Sequence, residues 1–302
     1  MKKVLGLLVV LGLFFTCLIY NDEIISYLVN TFTDFHKDAS TIKNNNYASN
    51  NSYDYVQLTT DFNPKSKKDI IDIYYTVINS GMDNFTFYCP SEYKNCIKDV
   101  DYISNNQALL SDVNNFVPVY NSFENIDTEF DSLGKVNISI THNYTNDQIT
   151  TIENKIDEIY KEIITEDMNL ETKIKSIHDY IINNTKYDID RSDNKITKYH
   201  SDTAYGALIE KYSICGGYAD SMKLFLDRLN IPNYKISSEN HIWNLVKLDN
   251  EWYHLDLTWD DPVTSTGEDV LEYDYFLITT DELEKLETDQ HIFDKNIYTE
   301  AL

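Results

Sequence analysis

Tyr212-Ser213-Ile214-Cys215-Gly216-Gly217-Tyr218-Ala219-Asp220 opens the most informative segment of the chain, which runs on to Pro262. After the cysteine, Tyr218, Met222, Phe225 and Leu229 recur at helical spacing, and Asn230 and Pro232 predict where that helix stops. Cys215 is thereby placed at a helix start. Unpaired N–H groups and the positive end of the helix dipole favour an anion there, and the thiolate is the nucleophilic form of cysteine. Gly216 and Gly217 put no side chains beside the sulfur, which leaves room for a substrate carbonyl to approach the backbone. A buried cysteine beside an ordinary Gly-rich helix start would read the same way, so a second block is needed.

That block follows. Asn240-His241-Ile242-Trp243-Asn244-Leu245-Val246 reads as a strand, Asp249-Asn250 as a turn, and Glu251 through Trp259 as the returning strand. A turn centred on Asp249-Asn250 opposes Trp243 to Asp256 and His241 to Thr258. His241, Trp243 and Leu245 then share a face with His254, Asp256 and Thr258. His241 and Asp256 become diagonal neighbours about 7–8 Å apart at the backbone, a gap that an imidazole and a carboxylate close. A three-residue turn would put them on opposite faces. In the first register His241 can take the thiol proton, Asp256 can accept the other ring N–H, and the helix-start N–H groups, that of Cys215 included, can hold an oxyanion. His254 is the rival base, two positions from Asp256 on the same strand. The other histidines have no such setting, and His178, alone on a helix face, is given no function.

These blocks, together with Trp252-Tyr253-His254-Leu255-Asp256-Leu257-Thr258-Trp259-Asp260-Asp261-Pro262, resemble the bacterial transglutaminase-like superfamily over roughly residues 165–280. The resemblance implies a papain-like α+β core, with Cys215 as nucleophile, His241 as base and Asp256 as its orienter. It implies no cofactor and no metal. The short interval from Cys215 to His241 sets the chain apart from papain itself, in which the histidine lies much farther downstream. Ile242 departs from the smaller residue of many relatives without removing a catalytic group. Tyr205 is a weak candidate for substrate or oxyanion contact and reads better as core. Asp260-Asp261-Pro262 reads as a turn with too few oxygen ligands for Ca²⁺.

Outward from this segment, Thr145 is placed to cap a helix carrying Ile149, Ile152, Ile156, Ile159 and Ile163, and Leu170, Ile174, Ile177 and Ile181 predict a second, ended by Asn183-Asn184-Thr185. Residues 188–202 are polar and read as a surface loop. Residues 53–145 form a small α/β accessory region: Ile70, Ile71, Tyr74, Val77 and Ile78 at helical spacing, with strands at Phe85–Tyr88 and at Val136, Ile138, Ile140, His142 and Tyr144. Residues 21–52, with Asn44-Asn45-Asn46 and Asn50-Asn51-Ser52, read as a polar tether. The catalytic domain is expected over 146–302.

Met1-Lys2-Lys3 precedes an uncharged run from Val4 to Tyr20. This is an export signal or an N-terminal helical anchor at the short edge of the about 17–25 residues that span a bilayer. No small residues mark a cleavage site, which favours an anchor in the cell membrane at residues 4–20 with the domain outside. Cleavage would make the protein secreted. Cys17 has bulky Phe14 and Phe15 before it, where a lipidation site has small residues. Cys89 and Cys96 lie close enough for a local disulfide in an exported chain, which leaves Cys215 without an evident partner. The net charge of −25 argues against nucleic acid and against attachment to anionic lipid through basic residues. The expected partners are a protein or peptide substrate, cell-wall or surface proteins among them. Two readings follow: a thiol hydrolase or acyltransferase, or a silent surface-binding module that keeps the fold.

Overall fold

The computed structural model describes residues 41–262, 270–286 and 289–302, together with Glu23, Ile24, Ser26, Tyr27 and Thr31. The expected anchor at 4–20 and Cys17 lie outside the described residues. Among the described residues no helix is long and apolar enough to cross a membrane.

The accessory region is built on helix α1 (Lys67–Ser80), which Ser66 and Asp69 start with a reciprocal capping box. Strands β1 (Asn84–Tyr88), β2 (Phe123–Phe130) and β3 (Lys135–His142) form an antiparallel sheet in the order β1-β3-β2. Helices α2 (Cys96–Ser104) and α3 (Gln107–Asn115) complete it. A Cys89–Cys96 disulfide, with Cα atoms 5.6 Å apart, joins the end of β1 to the start of α2. Residues 41–52, expected as part of a tether, are instead packed on this region. The Asn45 amide N–H donates to the Ser80 carbonyl at 2.9 Å, and its side chain bonds Asn121 at 2.7 Å. Asn79 donates to the Ser49 carbonyl at 3.0 Å. The polar residues there satisfy buried polar groups of the neighbouring fold as well as facing water.

Thr145 caps α4 (Asn146–Ile163) with Gln148 in a capping box, and Asn169 caps α5 (Leu170–Asn184). The segment 188–202 is more ordered than a surface loop: it holds the short helix α6 (Ile189–Asn194), and its buried Ser201 hydroxyl donates to the buried Asp188 carboxylate. Two short parallel strands, β4 (Lys186–Tyr187) and β5 (Tyr212–Ser213), lead to α7 (Cys215–Arg228).

The second sheet is antiparallel in the order β6-β7-β8-β9, from β6 (Asn233–Ser237), β7 (Ile242–Leu248), β8 (Glu251–Leu255) and β9 (Phe276–Ile278). The β7–β8 turn is the two-residue one expected, with Asp249 and Asn250 at φ 51° and 70°. It opposes Leu245 to His254 and Asn244 to Leu255, the register inferred from the turn. The returning strand is shorter than expected and stops at Leu255. Asp256 leaves the ladder because its carboxylate accepts the amide N–H groups of Thr258 and Trp259, at 2.9 and 3.4 Å, and bends the chain. Helix α8 (Thr280–Lys285) and single turns at Asp289–His291 and Thr299–Ala301 follow.

This sheet is covered on both faces. Val246 and Leu255 join the helical core of α4, α5 and α7, with Ile156, Ile177, Met222 and Phe225. Tyr234, Ile236, Trp243 and Leu245 join a second core that includes Tyr74, Phe87 and Phe116 of the accessory region. The sheet thus alternates its side chains between two apolar layers, as a doubly covered sheet does.

Candidate active site

Helix α7 begins without a side-chain cap. Its N-cap is Ile214, whose side chain has no oxygen to offer the first turn. The Gly217 and Tyr218 N–H groups bond the Ile214 carbonyl at 3.0 and 3.3 Å. Those of Cys215 and Gly216 donate to no described residue, at the helix start that carries the half-buried thiol. The glycines also meet a neighbour that the sequence did not suggest. A Cβ on Gly217 would lie 2.4 Å from Ser213 Oγ and 2.6 Å from the Ser201 carbonyl, and one on Gly216 would lie 2.9 Å from the Asp202 carbonyl. They admit the backbone of segment 201–203, which fixes the helix start.

His241 lies just before β7, its carbonyl accepting from the Ser238 N–H at 3.0 Å. Its Nε2 donates to Asp256 Oδ2 at 2.5 Å, and the Cys215 thiol lies near enough to its ring to favour the imidazolium. With Nε2 committed to Asp256, Nδ1 is the nitrogen left for the sulfur. Burial opposes an imidazolium here, but the Asp256 charge and hydrogen bond, followed by the contact with Cys215, outweigh it and push His241 up to about 10. Burial likewise opposes the Asp256 carboxylate. The charge and hydrogen bond of His241, with a bond from His291, hold it well below the usual carboxylate range. The structure thus brings together Cys215, His241 and Asp256, the three residues singled out in the sequence.

His291 was not expected there. Its Nε2 lies 2.9 Å from the same oxygen, Asp256 Oδ2, in a turn reached 35 residues later. Its ring stacks on Tyr275 at 4.9 Å and meets Trp243 edge-on at 4.9 Å. The segment around it has no hydrophobic periodicity, so no local pattern marked it; the signal was only that a histidine stood in a stretch otherwise unassigned.

His254 is excluded as the base. Trp243 Nε1–H donates to its Nδ1 at 2.9 Å, which leaves the proton on Nε2 facing Thr280 Oγ1 at 2.9 Å. Burial, with the neighbouring His291, pushes it down to about 3 and keeps it neutral. His178 is buried between two carboxylates, Asp179 at 3.0 Å and Asp260 at 3.1 Å. Burial works against its charge, yet these two acids raise it above its ordinary value. Asp260 also accepts the Tyr275 N–H at 2.9 Å, so this pair pins the turn that carries Asp256 to α5. Asp261 is engaged separately, by the Tyr218 hydroxyl. Tyr205 is half-buried against the helical core, its ring edge-on to His200 at 5.5 Å.

His241, Asp256 and His291 offer one donor atom each within 4.8 Å of one another, a set with the composition of a metal site. The 2.5 and 2.9 Å separations are those of N–H···O bonds and fit protons between the rings and the carboxylate.

Among proteins of known family, residues 157–257 match the model described as the transglutaminase-like superfamily. The matched segment contains Cys215, His241 and Asp256 and leaves out His291. None of the curated proteins matches the chain. A solved structure described as "Crystal structure of a TGase" is similar at 14% identity with a TM-score of 0.34, over 45% of this chain and 44% of that one. The chain therefore spans less than half the length of that relative. The segment that carries the cysteine helix and its facing hairpin thus matches the transglutaminase-like superfamily.

Proposed function

We propose that the protein is a cysteine enzyme acting on peptide or glutamine-type amide bonds through an acyl-thioester on Cys215. The observation that carries this reading is that the His241 ring, bonded to the buried Asp256 carboxylate, also has the Cys215 thiol as a neighbour. His241 takes the thiol proton, and the sulfur attacks the amide carbonyl. The carbonyl oxygen becomes an oxyanion within reach of the Cys215 and Gly216 N–H groups. As the C–N bond breaks, His241 returns its proton to the leaving nitrogen, and the acyl group stays on sulfur. Attack by water, its proton taken by His241, then gives hydrolysis. Attack by a lysine amine gives a new amide. Asp256 keeps the ring in the tautomer and orientation both steps need.

The enzyme acts outside the cell membrane in this reading, held by residues 4–20, on cell-wall or surface proteins. The Met1-Lys2-Lys3 start ahead of the apolar run supports export, and the Cys89–Cys96 disulfide suits an oxidising compartment. The test is to incubate the full chain, wild type and Cys215→Ala, with cell-wall proteins and a labelled amine. New fragments with wild type alone indicate a protease. Amine incorporation with wild type alone indicates a transamidase. Identical results from both proteins would leave a binding module and sink the enzyme reading.

A further inference from the structure

The mechanism above uses one imidazole on Asp256, and the structure supplies two. Both oxygens of this carboxylate are engaged. Oδ1 accepts the Thr258 and Trp259 N–H groups at 2.9 and 3.4 Å, and Oδ2 faces His241 Nε2 at 2.5 Å and His291 Nε2 at 2.9 Å. An ionised carboxylate has about four acceptor sites, so His291 fills the last one. Asp256, His241 and His291 are only 2%, 6% and 5% exposed, which leaves little access for water to replace a missing donor. His291 is itself held: Tyr275 stacks on it with ring planes 18° apart, and Trp243 and Trp259 border it.

We infer that His291 is a positioning residue for the acyl-transfer site, donating Nε2–H to Asp256 so that the carboxylate stays ionised and turned toward His241. The inference rests on the reading of Cys215, His241 and Asp256 given above. A carboxylate held only on Oδ1 could rotate about its terminal torsion and carry Oδ2 away from His241. The second imidazole closes that freedom. The segment that ends in the Asp289–His291 turn is thus part of the site, although it lies beyond the matched residues 157–257. The titratable groups around His241 come from three elements: Cys215 on α7, Asp256 in the turn after β8, and His291, with neutral His254 behind His291.

The test uses the full chain with His291→Gln and His291→Asn. A glutamine amide reaches the place of Nε2 and can donate to Asp256; an asparagine amide falls short. The readout is the rate at which iodoacetate alkylates Cys215 near neutral pH, which needs no knowledge of the substrate. The asparagine variant is expected to react about 10–100-fold more slowly, the usual weight of a hydrogen bond to a charged group, and the glutamine variant to recover most of the rate. Equal rates in both variants and wild type would overturn the inference. So would equal losses in both, which would assign His291 a packing role. In a parallel arm, His241→Ala that alkylates like wild type would sink the underlying Cys–His reading, and this inference with it. An independent check needs no variant: ¹⁵N-histidine spectra of the wild type are expected to show His291 protonated at Nε2, and an unprotonated Nε2 would refute the assignment.

Discussion

Two buried histidine–aspartate pairs lie side by side in this protein, their acids four residues apart at Asp256 and Asp260, and only one of them faces a nucleophile. Their imidazoles are alike, although Asp256 is held below the ordinary carboxylate value and Asp260 above it. Both His241 and His178 are raised above the ordinary value, in each case by carboxylates that overcome burial. Their valences differ. His178 spends both ring nitrogens on acids, Asp179 and Asp260, and has neither left for a third group. His241 spends one on Asp256 and keeps the other for Cys215. A perturbed imidazole is therefore a poor sign of chemistry by itself. The sign is an imidazole with one nitrogen fixed and the other pointed at a group that can lose a proton.

The sharpest way to test this contrast is to disable each pair. Cys215→Ala is expected to remove acyl transfer, on the order of 10⁶-fold in turnover, and Asp256→Asn to cost about 10⁴-fold by forcing the wrong tautomer on His241. Both are measured once a substrate is in hand, and both variants should unfold cooperatively. His178→Leu reverses the pattern. It leaves Asp260 buried without its imidazole partner, so urea unfolding should show a loss of about 3–5 kcal/mol. The folded fraction should still alkylate at Cys215 close to the wild-type rate, and a collapse of that rate would make the two pairs one system.

A smaller effect separates them by pH. Because His178 binds its proton more tightly folded than unfolded, its stabilisation is complete below about pH 6.5 and is lost as pH rises through the folded value. The stability difference between wild type and His178→Gln should therefore shrink as pH rises above about 6.5. A difference that grows over that range would reverse the assignment. The smallest effect is expected from Tyr218→Phe, which removes the hydroxyl bond to Asp261. It should cost about 0.5–1.5 kcal/mol in urea unfolding and leave Cys215 reactivity unchanged.

Much of the site was legible in the sequence because its parts are local. The β7–β8 register followed from Asp249-Asn250, since a two-residue turn with both residues at positive φ leaves one pairing. The helix start at Cys215 followed from the spacing of Tyr218, Met222 and Phe225. What escaped was set by contacts distant in the chain. His291 reaches Asp256 across an interval without periodicity. The burial of His178 depends on Asp260, 82 residues on. The role of Gly216 and Gly217 depends on segment 201–203, whose polar composition hid its packing. The asparagines of 41–52 misled for the same reason, because polarity is compatible with water and with a buried polar partner alike.

The apolar layer shared by Tyr234, Ile236, Trp243 and Leu245 with Tyr74, Phe87 and Phe116 bounds how small a stable piece of this protein can be. The segment that matches a known family is smaller than the unit that folds. Severed from the first half of the chain, the hairpin bearing His241 would present Trp243 and Tyr234 to water. Any other first half would have to supply a matching greasy surface at the same place for this sheet to stay covered.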